Sequence, residues 1–242
     1  MTTLVVGATG ATGRWLVRQL LEQGHEVRVV VRSPERLPDD LQKHERLRVI
    51  TGNILTMPGE SITELVRGCD AVASCLGHTI SLRGVFGPPR RLVTDTTRRL
   101  CDAIRTSKPA RPVRFVLMNT VANMNRDLPE RRSVADRIVI GLVRALVPPQ
   151  GDNQEAADLL RLGVGSHDPS LEWAAVRPDS LTNESTVTGY DVHASPIRSG
   201  VFDPGKTSRI NVGHFMAALM TDGALWTRWK GQMPVIYNRE AA

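Results

Sequence analysis

Lysine, cysteine and aromatic residues are scarce in this 242-residue chain, and each scarcity narrows what it can be. Only Lys43, Lys108, Lys206 and Lys230 are lysines, so nearly all of the positive charge is guanidinium, which grips phosphate as a fork but handles protons poorly. Three cysteines (Cys69, Cys75, Cys101) are odd in number and show no CxxC spacing, which argues against a disulfide framework or a zinc site and for a reducing compartment. His25, His44, His167, His193 and His214 form no HxxxH or carboxylate-linked group, so no metal site is expected. Four Trp, two Tyr and four Phe give too few aromatics for a base-stacking platform, and the paired arginines at 90–91, 98–99 and 131–132 have none interleaved, so no specific nucleic-acid partner is expected. The longest apolar run, Ile138 to Val147, is broken by Arg144 and is far shorter than the roughly 20 residues that cross a bilayer. The amino terminus runs directly into an apolar strand pattern with no leader signature, and the chain reads as soluble and cytoplasmic, with no membrane partner.

What is present is the balance of a globular protein: 41% hydrophobic and 23% charged residues, with 20 Gly and 15 Pro spread along the chain. The length suits one large domain with a substantial core. A formal charge of +6 favours anionic partners without naming one.

Short β-branched runs alternate with amphipathic stretches, which predicts parallel strands joined by helical crossovers. Strands are expected near 3–6, 26–31, 47–51, 70–75, 113–119, 172–176 and 233–237, and helices over 12–22 and 90–107. The near-continuous apolar run Val27 to Val31 fits a sheet covered on both faces, so the expected fold class is α/β, a doubly wound parallel sheet. Segments 124–134 and 183–208 read as loops, and residues 178–242 as the main part of a small substrate-facing lobe on a single domain spanning 1–242. Gly84 to Arg91 forms either an entrance wall or the start of the following helix. Ile138 to Val147 suits a buried helix, a lid or a subunit contact, the last allowing a homodimer.

The strongest motif is Gly7-Ala8-Thr9-Gly10-Ala11-Thr12-Gly13, placed between an apolar strand and an amphipathic helix. There Gly7 permits a tight turn, Gly10 lets backbone approach a pyrophosphate, and Gly13 lets helix and strand pack closely. About 20 residues further on, an acid would select NAD, but the second strand ends in Arg32-Ser33, a cation and a hydroxyl suited to the 2′-phosphate of NADP(H).

With these residues in view, the chain resembles the atypical short-chain dehydrogenase/reductases, in particular their NmrA-like and biliverdin-reductase-B-like NAD(P)H-binding members. The likeness rests on the glycine motif, Arg32, Gly52-Asn53-Ile54, Cys75-Leu76-Gly77, Val176 to Thr182, and Ser208 to Val212. It implies a Rossmann fold, with Gly7 and Thr9 to Gly13 around the pyrophosphate, Arg32 on the 2′-phosphate, Asn53 and Ile54 flanking the adenine, and Leu76, Gly77 and His78 further along the cofactor. By the same resemblance Asn119 and Thr120 lie near the nicotinamide, and Arg177 and Pro178 form a turn that helps close the site.

The chain departs from the wider superfamily at its catalytic pair. Tyr190 and Tyr237 are each followed four residues on by alanine, and no lysine lies between Lys108 and Lys206, so the Tyr-xxx-Lys arrangement that eases a phenol proton toward a carbonyl is missing. A lysine that some relatives carry early in the helix before the sixth strand is replaced by the run Asp152-Asn153-Gln154-Glu155. Thr120, Asn119 and His78 remain as candidates to orient a carbonyl or handle a proton. The expected function is an NADPH-dependent reductase passing hydride to a small carbonyl, enone, quinone or flavin acceptor. The alternative is an NADP(H)-binding redox sensor that acts through a protein partner.

Overall fold

The computed structural model describes residues 1–78, 87–130, 136, 139, 141 and 148–239. Strands β1 (Thr2–Val6), β2 (Glu26–Val31), β3 (Leu47–Thr51), β4 (Ala71–Ser74), β5 (Val113–Met118), β6 (Leu171–Pro178), β8 (Tyr190–His193) and β10 (Val235–Asn238) form one sheet in the order β3-β2-β1-β4-β5-β6-β10-β8. Every pairing is parallel except that of β8 with β10. Two further strands, β7 (Ser180–Thr182) and β9 (Lys206–Ser208), make a separate parallel ribbon. Strand order reverses between β1 and β4, which opens a crevice at the carboxyl ends of those strands, where α/β sheets bind ligands.

Each strand feeds both faces of the sheet. On one face Val5, Val29, Val116 and Val176 pack with helices α1 (Gly13–Glu22), α6 (Arg209–Thr221) and α7 (Gly223–Trp229) through Leu16, Leu20, Phe215, Met216 and Trp226. On the other, Leu4, Val6, Phe115, Leu117 and Trp173 meet α3 (Gly59–Val66), α4 (Leu92–Ser107) and α5 (Pro148–Asp158) through Ile62, Leu100, Ile104 and Ala156. Burying both faces explains why these strands carry apolar residues at consecutive positions, each worth about 1.5–3 kcal/mol when removed from water. The short helix α2 (Asp39–Gln42) lies between β2 and β3. α6 and α7 begin on side-chain caps, Ser208 accepting from the Asn211 amide and Asp222 from those of Ala224 and Leu225.

The doubly wound sheet and its seven expected strands are present, with ends displaced by one or two residues. Segment 183–208 departs from its expected loop character, because it contains β8 and β9. Tyr190 and Val192 alternate with Asp191 and His193, so this polar stretch turns one side inward and extends the sheet as an edge strand. Within 178–239, β8, β10, α6 and α7 belong to the main sheet and its cover, while β7, β9 and their loops stand beyond the carboxyl ends. The described part of 124–134 carries no helix or strand. Apart from Val139 and Gly141, the apolar segment 138–147 lies outside the described residues, as do 79–86.

Candidate functional site

The turn from β1 to α1 is shaped by what glycine lacks. Gly7 sits at φ +80°, and a Cβ there would fall 2.6 Å from the Cys75 carbonyl carbon. A Cβ on Gly13 would fall 2.2 Å from the Gly7 carbonyl oxygen, so α1 starts directly against the turn. The Gly10 amide donates to the Gly7 oxygen at 3.0 Å and closes the loop. No side chain caps α1; the Arg14 and Trp15 amides donate to the Gly10 and Thr12 carbonyls, and the positive end of the helix dipole faces the turn, where it favours an anion. Gly10 and Ala11 are exposed at this end, whereas Ala8 and Thr12 are buried beneath it.

Beside this turn is a cleft of about 140 Å³, and its walls bring together Gly7, Thr9, Arg32, Asn53, Ile54, Leu76 and Gly77. Pro89, within the expected entrance wall Gly84 to Arg91, joins Leu92 and Thr96, which the sequence did not single out, in the wall contributed by α4 and its approach. Arg32 is exposed at the end of β2 and makes no ion pair or hydrogen bond among the described residues. Ser33 follows it, with its carbonyl accepting the Arg36 amide at 3.1 Å. Asn53 Oδ1 accepts the Leu55 amide at 3.1 Å, an Asx turn.

The other named residues form a second constellation, organised by the start of α5. Asn119 is buried and fully engaged: Nδ2 donates to the Asn153 carbonyl at 3.0 Å, and Oδ1 accepts from the Thr120 amide and from Asn123 Nδ2. The Thr120 hydroxyl accepts the Ala122 amide at 3.3 Å. Gln154 Oε1 accepts the Met124 amide at 3.2 Å. His78 Nε2 lies 2.8 Å from Asp152 Oδ2, and both side chains are almost wholly withdrawn from solvent. The Asp152 carboxylate also accepts the amides of Val93 at 2.8 Å and Thr94 at 2.9 Å, capping α4 from a neighbouring helix.

Arg177 is fully buried at the end of β6. Its guanidinium donates to the carbonyls of Met233, Asn123 and Ala194 and pairs with Glu130 at 2.6 Å. Arg177 therefore ties the loop after β5 to β6 and β10 without lining the cleft. Pro178 supplies the carbonyl that receives the Val121 amide at 3.0 Å.

Neither tyrosine is prepared to donate a proton. Burial pushes the phenols of Tyr190 and Tyr237 up to about 12, and the Tyr190 hydroxyl meets His214 Nδ1 at 2.7 Å instead of a lysine. Among the described residues no group of side chains could hold a metal ion, and no helix is long and apolar enough to cross a membrane.

A glycine turn under an uncapped helix, set at the strand-order reversal of a doubly wound sheet, defines a nucleotide-binding α/β protein. Residues 7–223 match the profile of the NAD(P)H-binding family, and the chain belongs to it. Its relatives include a 3-beta-hydroxysteroid dehydrogenase of Mycolicibacterium neoaurum, 37% identical over 84 residues that make up 35% of this chain and 20% of that protein. Another is cinnamoyl-CoA reductase 2 of Medicago truncatula, 30% identical over 138 residues, 55% of this chain and 39% of the relative. The chain thus spans well under half the length of these relatives. Among solved structures, a short-chain dehydrogenase/reductase of Veillonella parvula in complex with NADP has the same fold at TM-score 0.70 and 17% identity, over 98% of this chain and 94% of that one.

Proposed function

We propose that this protein is an NADPH-dependent reductase that passes hydride to a small carbonyl, enone, quinone or flavin acceptor in a cytoplasmic setting. The observation that carries the reading is Arg32: a guanidinium unpaired among the described residues, lining the cleft where an acid would repel a 2′-phosphate. In this reading Gly7 and Ala8 to Gly13 hold the pyrophosphate against α1, with Arg32 and Ser33 on the 2′-phosphate. Asn53 and Ile54 flank the adenine, and Leu76 and Gly77 follow the cofactor past β4. Bound NADPH supplies the hydride. The chain itself supplies position: Asn119, Thr120, Arg177 and Pro178 fix the loops after β5 and β6, and His78 follows Gly77 of the cleft wall in sequence.

A second reading, an NADP(H)-binding redox sensor that acts on a protein partner, draws on the missing Tyr-xxx-Lys pair and the two buried, weakly acidic phenols. One experiment separates the two. Purified protein is titrated with NADPH and NADH, then offered quinones, flavins, enones and aldehydes while nicotinamide absorbance is followed. A reductase binds NADPH more tightly than NADH and oxidises it well above the protein-free rate with at least one acceptor class. Tight binding without turnover across the panel replaces this reading with the sensor, and equal affinity for the two nucleotides removes the role given to Arg32.

A further inference from the structure

We propose that the Thr96 hydroxyl is a binding contact for the adenosine half of the cofactor, a polar group that the protein itself leaves unbonded. The inference deepens the NADPH-binding part of the reading above and rests on it, but it needs no hydride transfer. Thr96 stands four residues after Leu92 on α4, and the two line the cleft together with Pro89. Thr96 is fully buried, and its hydroxyl has no hydrogen-bond partner among the described residues. A helical threonine commonly spends its hydroxyl on the carbonyl three or four residues back, which Thr96 does not do. Thr94, on the same helix, gives its hydroxyl to the Asp152 carbonyl at 2.9 Å.

The neighbouring wall makes this hydroxyl costly. Val6, Val31, Ile54, Leu76 and Leu92 line the same cleft, so valine, with nearly the shape of threonine, would suit position 96 on packing grounds alone. A buried hydroxyl without a partner lowers stability, and a ligand atom that bonds to it recovers the loss. Of the buried serine and threonine hydroxyls without a partner among the described residues, those of Thr3, Ser74, Thr96 and Thr97, the one at Thr96 belongs to the cleft wall. The same cleft holds Arg32, Asn53 and Ile54, to which the reading above gives the 2′-phosphate and the adenine, so the part of the nucleotide that this wall meets is adenosine. A hydroxyl can donate to a ring nitrogen or sugar oxygen there, or accept from the exocyclic amine. Thr97 supplies a matched control: it is as buried as Thr96 and as unpartnered, but it is turned about 100° around the helix and is not part of the wall.

The test compares the intact wild-type protein with Thr96→Val, Thr96→Ser and Thr97→Val. Calorimetry gives the Tm of each without nucleotide, and titration gives its affinity for NADPH and for adenosine 2′,5′-bisphosphate. Thr96→Val is expected to bind both nucleotides roughly three- to tenfold more weakly, while its Tm stays level or rises by a few degrees. Thr96→Ser, which restores a hydroxyl, keeps both affinities within about twofold of wild type. Thr97→Val shifts Tm in the same direction as Thr96→Val and weakens neither nucleotide. Wild-type affinity in Thr96→Val overturns the proposal. A Tm that falls in that variant, or a chain that fails to fold, also overturns it by showing that the hydroxyl serves the helix, and an equal loss of affinity in Thr97→Val traces the effect to packing. A loss for NADPH alone, with the bisphosphate unaffected, overturns the assignment to adenosine. Failure of the wild type to bind either nucleotide overturns the cofactor reading and this inference with it.

Discussion

Arg177 and Glu130 form an ion pair at 2.6 Å with 0% and 1% side-chain exposure, 47 residues apart in the sequence. With three backbone carbonyls beside Glu130, every guanidinium nitrogen donates at least one hydrogen bond, so the charge is buried but partnered. Removing one partner leaves the other buried and unpaired. Glu130→Ala is therefore expected to cost about 3–5 kcal/mol of unfolding free energy in urea titrations, and Arg177→Ala at least as much. Because the two share one interaction, the double variant should lose clearly less than the sum. Additive losses would show that the pair is not a unit.

Gly13 has a purely geometric role. Its Cβ would meet the Gly7 carbonyl oxygen at 2.2 Å, and neither backbone can yield without moving the phosphate turn. Gly13→Ala is expected to lose about 1–3 kcal/mol and with it most NADPH affinity. The control is Gly59→Ala in the first turn of α3, where nothing stands within 4 Å of the new methyl, and it should be neutral or slightly stabilising. Calorimetry and nucleotide titration on both variants check the contrast.

All three cysteines are free and buried, and burial pushes Cys69 up to about 11 and Cys75 and Cys101 up to about 12. At pH 8 the reactive thiolate is then roughly a thousandth of each or less. Native protein should resist iodoacetamide, and all three should label once urea unfolds the chain. Fast labelling of any thiol in the native state would contradict this burial.

Glu172 provides the pH dependence. Burial tends to raise its carboxyl, but hydrogen bonds from Lys230 and from the Trp226 indole, both at 2.6 Å, outweigh that and hold it below the usual carboxylate range. A carboxylate with a lowered folded-state pKa stabilises the protein above its unfolded value, and the contribution is lost as the pH falls through the folded value. Glu172→Gln should therefore lower Tm at neutral pH, by a few degrees at most for this partly exposed site, and the gap to wild type should close in acid. A gap that persists or widens in acid would rule out the charge as its source.

The phosphate turn and the seven expected strands were legible because each depends on local chemistry: glycine where a Cβ cannot fit, and apolar residues at successive positions where both sheet faces are covered. Strand β8 was not, since Tyr190 to His193 carries only a four-residue alternation and owes its state to pairing with Tyr237 and its neighbours far along the chain. The Arg177 anchor was not legible for a similar reason: the resemblance placed Arg177 in a turn that helps close the site, but Glu130, its buried partner, gives no local sign. His78 stood out by its place after Gly77, but its partner Asp152 is 74 residues away and reads locally only as an acid near a helix start.

Arg32 links the cofactor reading to a measurable preference. It lines the cleft, is exposed, and has no partner among the described residues, so a 2′-phosphate would meet a guanidinium that gives up no existing bond. Loss of one charge-assisted contact weakens binding by on the order of 1–3 kcal/mol. Arg32→Ala should therefore reduce NADPH affinity by roughly 5- to 150-fold and leave NADH nearly unchanged, as read by fluorescence titration of both nucleotides at fixed ionic strength. The selectivity of the loss is the decisive quantity. An equal fall for both nucleotides would mean that Arg32 serves the shape of the cleft, and an undiminished preference for NADPH would place phosphate recognition on another cation, with Arg36 in the turn Pro34–Arg36 the next to be replaced.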